Sequence, residues 1–247
     1  MFLRSSIISL LCVLAFGACH NPSAPAAKNS QALPTAPAVK TAGAMKDVMW
    51  KGMLSDVVKL DTLKPRKGLY ALGPGPRLRG ELLVLDGTTY WSTVRADSSL
   101  QVATDPDEVG APFLVYGWQS EWKKTSLPDS VKSLGQLESW VDKRMGAVQK
   151  PFPLRQEGQV REAFIHAQNL APDATVSNPR EAHAGQVNYR LPSQRVQIAG
   201  FFSRKHQGIF THHDSFLHLH LIDEKEQMMG HLDSLSIGQL QIYLPEK

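Results

Sequence analysis

Cysteine is nearly missing from this chain of 247 residues: the two it has, Cys12 and Cys19, both precede residue 20. Everything after Cys19 has no disulfide to staple it and no thiolate to offer a metal, whatever its redox compartment. Long apolar runs are missing as well. The run from Ile7 to Phe16 is too short to cross a bilayer as a mature helix. Charge of one sign is not concentrated anywhere. The 27 Lys and Arg stand against 23 Asp and Glu, and no basic run is interleaved with aromatics, which argues against a nucleic-acid partner. There is no internal repeat. What is present is ordinary: 42% hydrophobic residues suffice for a core, and the length suits one large domain or two small ones.

The first residues read as an address. Arg4 gives a positive start, the apolar run follows, and Phe16-Gly17-Ala18-Cys19 sets small residues before a cysteine. This resembles a bacterial lipoprotein signal, which implies loss of residues 1–18, a lipid on Cys19 and an exported domain anchored at the cell envelope. An ordinary secretory signal cut after Ala18 gives the same export. Residues 20–45 are rich in Ala, Pro, Ser and Asn and hold almost no large apolar side chain. They cannot bury enough surface to offset their ordering entropy. The expected organisation is a signal (1–18), a lipidated cysteine with a flexible tether (19–45) and one folded domain (46–247). Membrane contact is expected through the lipid alone.

Apolar spacing predicts a helix from about 47 to 54 and a clearer one over 130–148, where Val131, Leu134, Leu137, Val141 and Met145 recur at helical intervals. Asp129 or Ser130 is the expected cap. Glu81–Leu85 and Thr88–Ser92 read as strands joined by the turn Asp86-Gly87. Residues 111–118, 161–170, 194–202 and 235–244 read as further strands. The fold class is α+β and mostly β, with mixed or antiparallel sheets and one or two helices.

Five of the nine histidines fall within 212–234. In "FLHLHLI" (216–222) polar and apolar residues alternate as in a half-buried strand, so His218 and His220 share a face and Leu217, Leu219 and Leu221 take the other. If Asp223 and Met228 close a four-residue loop, 224–227, His231 sits directly opposite His220 on the same face. One residue more or less would turn His231 away. Three imidazoles on a C-terminal β-hairpin with an open fourth position form the ligand set of catalytic zinc, Zn2+. Two blander readings are a solvated histidine face and histidines that only brace a loop. A cupin-like set using Glu224 and Gly230 has the wrong spacing to its glycine. His212 falls near the metal face and is a possible auxiliary group; an exposed loop histidine is the alternative.

These motifs together resemble the alpha-acetolactate decarboxylase family. His218-Leu219-His220 followed by Gly230-His231 resembles its signature hairpin. Gly80-Glu81, Asp86-Gly87 with Tyr90, Pro112-Phe113 and Gly200-Phe201 resemble its other landmarks, in order, over roughly 47–245. The resemblance implies zinc on His218, His220 and His231, with Glu81 nearby as acid/base or auxiliary ligand. It implies removal of CO2 from a small substrate, 2-acetolactate, to give acetoin, and a homodimer. Two departures stand out. In "DATV" Ala174 occupies the place of a family arginine, and the family's glutamate-bearing tail is expected to be missing, with Glu246 a poor substitute. Arg204 and Lys205 are candidates for the lost positive charge. A non-catalytic binding protein for a metal or small anion, and a metal-free structural lipoprotein, are the alternatives from other classes.

Overall fold

The structure is a computed structural model and describes residues 39–246. The export signal, Cys19 and most of the tether lie outside the described residues. The tether expected to reach residue 45 ends sooner. Lys40–Ala42 form a strand, β1, that pairs with Leu114–Tyr116, because an extended segment of any composition can complete a sheet edge through its backbone.

In chain order there follow α1 (Met45–Lys51), β2 (Val58–Lys59), β3 (Leu69–Pro74), β4 (Glu81–Leu85), β5 (Thr88–Val94), β6 (Leu100–Thr104), β7 (Gly110–Ala111), β8 (Leu114–Trp118) and β9 (Trp122–Ser126). Then come α2 (Leu134–Arg144), β10 (Phe152–Ala167), α3 (Pro179–Ala182), β11 (Val187–Leu191), β12 (Gln194–Phe202), β13 (Leu217–Asp223) and β14 (Met229–Pro245). The molecule is mostly antiparallel β, as the alternating patterns imply. The first helix starts and ends earlier than expected, because Gly52 takes a left-handed cap at φ 62°. The second begins at Leu134. Its cap is Ser133, which accepts from Gln136 N–H, and not Asp129 or Ser130, because residues 128–131 close a separate turn.

One six-stranded sheet runs β1-β8-β3-β4-β5-β6. The β4–β5 turn is the expected two-residue hairpin, with Asp86 at φ 50° and Gly87 at φ 96°. The second sheet runs β11-β10-β12-β13-β14-β9, and β10 also pairs with β14. That extra pairing closes β10, β12, β13 and β14 into a ring. The strands expected over 161–170 and 235–244 are the later parts of β10 and β14, which run for 16 and 17 residues.

Alternation assigns the two faces. Leu217, Leu219 and Leu221 join Leu154, Val160, Ile198 and Leu232 on the face covered by α2. The histidine face of the same strands meets the first sheet, where Phe201, Phe210, Ile222 and Met229 pack on Tyr70, Leu72, Leu83 and Val115. So β13 is buried on both faces, and the solvated-face reading of His218 and His220 is excluded.

Candidate metal centre

Of the possible loop lengths, the structure has the four-residue one, 224–227. Asp223 N–H donates to Met228 O at 3.0 Å, and the register pairs His220 with His231. On the other side of β14, His231 pairs with His166 of β10. Residues directly opposed on paired strands share a face. His166, His231 and His220 therefore make a row across three strands, and His218 lies two residues from His220 on that same face. Gly230 permits the close β10–β14 approach: a Cβ there would meet His166 O at 2.4 Å.

The rings of His218, His231 and His166 are each oriented by their Nδ1. His218 Nδ1–H donates to Phe210 O at 2.6 Å, which leaves Nε2 free and unprotonated. His231 Nδ1–H donates to Asp233 Oδ1 at 3.1 Å, and His166 Nδ1–H donates to the same oxygen at 2.7 Å. Asp233 reaches both because it is an extra residue in β14: Leu232 pairs with Ile165 and Ser234 with Phe164, so the bulge turns its carboxylate back toward the row. His220 is fully buried, and neither of its ring nitrogens has a hydrogen-bond partner. A buried nitrogen pair left without a partner fits a metal ligand better than a structural histidine.

Glu81 comes from the first sheet. Gly80, at φ 85°, packs so closely on Ser92 O that no side chain fits, and this sets Glu81 at the start of β4. Its Oε1 accepts from Gln168 N–H at 3.2 Å, Oε2 lies 3.7 Å from His220 Nε2, and Oε1 lies 4.0 Å from His166 Nε2.

Burial sets the charge states. It pushes the Glu81 carboxyl well above the ordinary range, and the neighbouring Asp233 adds to this. Burial holds His218 and His220 well below the ordinary histidine value, with the mutual repulsion of the imidazoles adding to it, and lowers His231 to about 3. Burial alone would raise Asp233, but its hydrogen bonds to His166 and His231 outweigh that and keep it ionised. Burial thus favours the neutral form of these imidazoles and of the Glu81 carboxyl alike. This is the state in which imidazoles bind a cation.

Not every expected residue arrives as expected. The ligand nitrogens of His212, His218 and His231 lie within 4.8 Å of one another, whereas His220 stands next to this trio, its ring centroid 5.2 Å from that of His218 and 5.6 Å from that of His231. Arg204 does not serve the centre. Its guanidinium is held by Asp142 and by the carbonyls of Asp142 and Val148 at the end of α2, while Lys205 is exposed. Ala174 packs against the cluster around α1 and does not line the site. Glu246 lies beside Lys123 and Arg144 at the far end of β14. Glu224 is exposed and paired with Arg195, which removes the cupin-like set.

Glu81, His166, His183, His212, His218 and His231 line a chamber of about 30 Å³ whose apolar wall is Met45, Met49, Pro74, Leu78 and Phe113; His220 lies outside that lining. His212 and His231 also line a cleft of about 400 Å³ between α2 and the β13–β14 hairpin. Sequence reasoning missed His166, Asp233, Gln168 and His183. Only the register of β10 on β14 brings the first two in, and that pairing joins segments 67 residues apart.

A family model described as alpha-acetolactate decarboxylase matches residues 42–246. Among solved structures, acetolactate decarboxylase from Bacillus subtilis subspecies spizizenii superposes with a TM-score of 0.71 at 20% identity, covering 85% of this chain and 86% of that one. The alpha-acetolactate decarboxylase of Bacillus subtilis strain 168 gives 0.72 at 19% identity and 85% of each chain. A Staphylococcus aureus protein of unknown function, described as similar to alpha-acetolactate decarboxylase, gives 0.69 at 16% and 84% of each. At these identities the likenesses establish a shared fold. No curated protein matches the sequence.

Proposed function

Since this chain belongs to the alpha-acetolactate decarboxylase family, we propose that it is a zinc-dependent carboxy-lyase that removes CO2 from 2-acetolactate or a similar 2-hydroxy-3-keto acid. The observation that carries this is the convergence of buried imidazoles on one face opposite the buried Glu81 carboxyl.

His218, His220 and His231 would hold the ion. When bound, zinc supplies Lewis-acid chemistry that draws electrons from the carbon losing CO2. The chain supplies the rest. Glu81, whose burial favours the protonated form, is placed to give a proton to the carbon that retains the electron pair when the carbon–carbon bond breaks. Gln168 N–H fixes the orientation of that carboxyl. The apolar wall of Met45, Met49 and Phe113 would keep water from the reacting carbon. His166, held by Asp233, and His183 line the chamber as the polar groups available to a substrate carboxylate.

Export and lipid anchoring at Cys19 are part of the same reading, supported by the order of Arg4, the Ile7–Phe16 run and Gly17-Ala18-Cys19. The enzyme would then meet substrate outside the cytoplasm.

One observation favours a second reading, binding without turnover: among the described residues, no arginine or lysine lines the chamber. Acetoin formation from racemic 2-acetolactate decides between them. The zinc-loaded full chain is expected to exceed a His220→Ala blank that records spontaneous decarboxylation. Equal rates from the two proteins, with zinc bound to the unmutated one, would reject the enzymatic reading in favour of the binding one.

A further inference from the structure

We propose that His212 is a fourth imidazole ligand to the same ion, making the centre a His212, His218, His220, His231 set. The inference rests on the zinc reading above and extends it to a residue outside the signature hairpin.

Distance is the first reason. His212 Nε2 lies 2.9 Å from His231 Nε2. Two imidazole nitrogens bound to one zinc at tetrahedral angles are separated by about 3.3 Å, given bonds of about 2.0–2.1 Å. The pair therefore already stands near the spacing that a shared ion imposes. The ring planes cross at 68°, so the two imidazoles do not stack. Of the histidine pairs and trios available, His212, His218 and His231 are one of two preassembled groups; the other, His166 with His231 and Asp233, is held together by hydrogen bonds to the carboxylate. His212 has no carboxylate partner of this kind; without an ion its Nε2–H donates to His231 Nε2, a contact that the ion would replace.

The segment that carries His212 is fixed. Phe210 is buried between the sheets and accepts the His218 Nδ1–H through its carbonyl. Gly208 N–H donates to Thr211 O at 2.8 Å and Thr211 N–H to His206 O at 3.2 Å, while Met45 N–H of α1 donates to Ile209 O at 2.8 Å. Glu138 of α2 accepts from Phe216 N–H at 3.0 Å on the far side. The loop is thus pinned at three places around His212. His213, its neighbour, is exposed and has none of this surrounding structure.

His212 also separates the inner chamber from the outer cleft, since it lines both. As a ligand it would close the side of the ion that faces the cleft, and substrate would then have to enter on the Glu81 side as a fifth ligand.

The test uses the metal-stripped full chain, titrated with Zn2+ against a chromophoric chelator and with Co2+ read by its visible spectrum. His212→Ala is expected to weaken zinc by at least roughly tenfold. It should also change the Co2+ bands, and lower the imidazole count in zinc-edge absorption from four to three. His213→Ala should match the unmutated protein throughout. His212→Gln serves in the same way if the alanine variant misfolds. Unchanged affinity and imidazole count in the His212 variants, while His218→Ala loses the metal, would overturn the proposal and leave the zinc reading intact. Failure of the unmutated chain to bind either metal would overturn both.

Discussion

Asp233 shows how much one residue can arrange. It is the extra residue of the β14 bulge, and its single Oδ1 orients both His166 and His231. Partners of this kind tune metal affinity almost as strongly as the ligands themselves. Asp233→Ala is expected to weaken zinc binding roughly 10–100-fold, read by chelator competition, without loss of the fold. Glu81 has the opposite balance between stability and function. Its folded-state value is raised, so its burial costs nothing at low pH and destabilises increasingly as pH rises past the ordinary carboxyl value. Glu81→Gln should therefore raise the melting temperature of the metal-free protein at pH 7–8 while lowering kcat by about 10²–10⁴. The histidines act in the other direction. Their folded values are depressed, so the unfolded chain binds more protons between about pH 6.5 and the folded value, about 3 for His231. Stability of the metal-free protein should fall as pH drops below about 6.5, by about 1.4 kcal/mol per pH unit for each such histidine. Urea unfolding across that range measures it.

At the scale of elements, the β13–β14 hairpin was the part most legible in the sequence. Alternation placed His218 and His220 together, and a turn of four residues placed His231 opposite, because a hairpin's register depends only on neighbours in the chain. The same logic gives a sharp prediction. One glycine inserted between Met228 and Met229, beyond the closing pair of the loop, would oppose His231 to Leu219 of β13. Stoichiometric zinc binding, measured by metal analysis after gel filtration, should disappear. The long pairing of β10 with β14 was not legible. It joins segments distant in sequence, and a bulge shifts its register at the position that matters. That is why His166 read as one more residue of a strand. Arg204 was misplaced for a related reason: strand alternation says which face a residue takes, but beyond the strand's end it says nothing, and there α2 captures the side chain.

For the whole molecule, the centre depends on two sheets staying together. The first contributes Glu81 and the second the imidazoles, and the layer between them is built on Phe201, Phe210, Ile222, Met229 and their partners. Phe201 is fully buried there, and Phe201→Ala should cost about 3–5 kcal/mol of stability. Composition and patterning indicated a single, mostly β domain. They did not reveal that four strands close into a ring, because closure is a property of pairings and leaves no local mark. A ligand that binds only the folded chain stabilises it, so zinc should raise the melting temperature of the whole domain and chelation should lower it.

The most direct test of the central claim is anomalous diffraction at the zinc edge from crystals of the zinc-loaded protein. One strong peak is expected at bonding distance, about 2.0–2.1 Å, from ring nitrogens of His218, His220 and His231, on the side that Glu81 faces. A zinc-loaded crystal with no peak among these histidines, or with its ion elsewhere on the molecule, would contradict it.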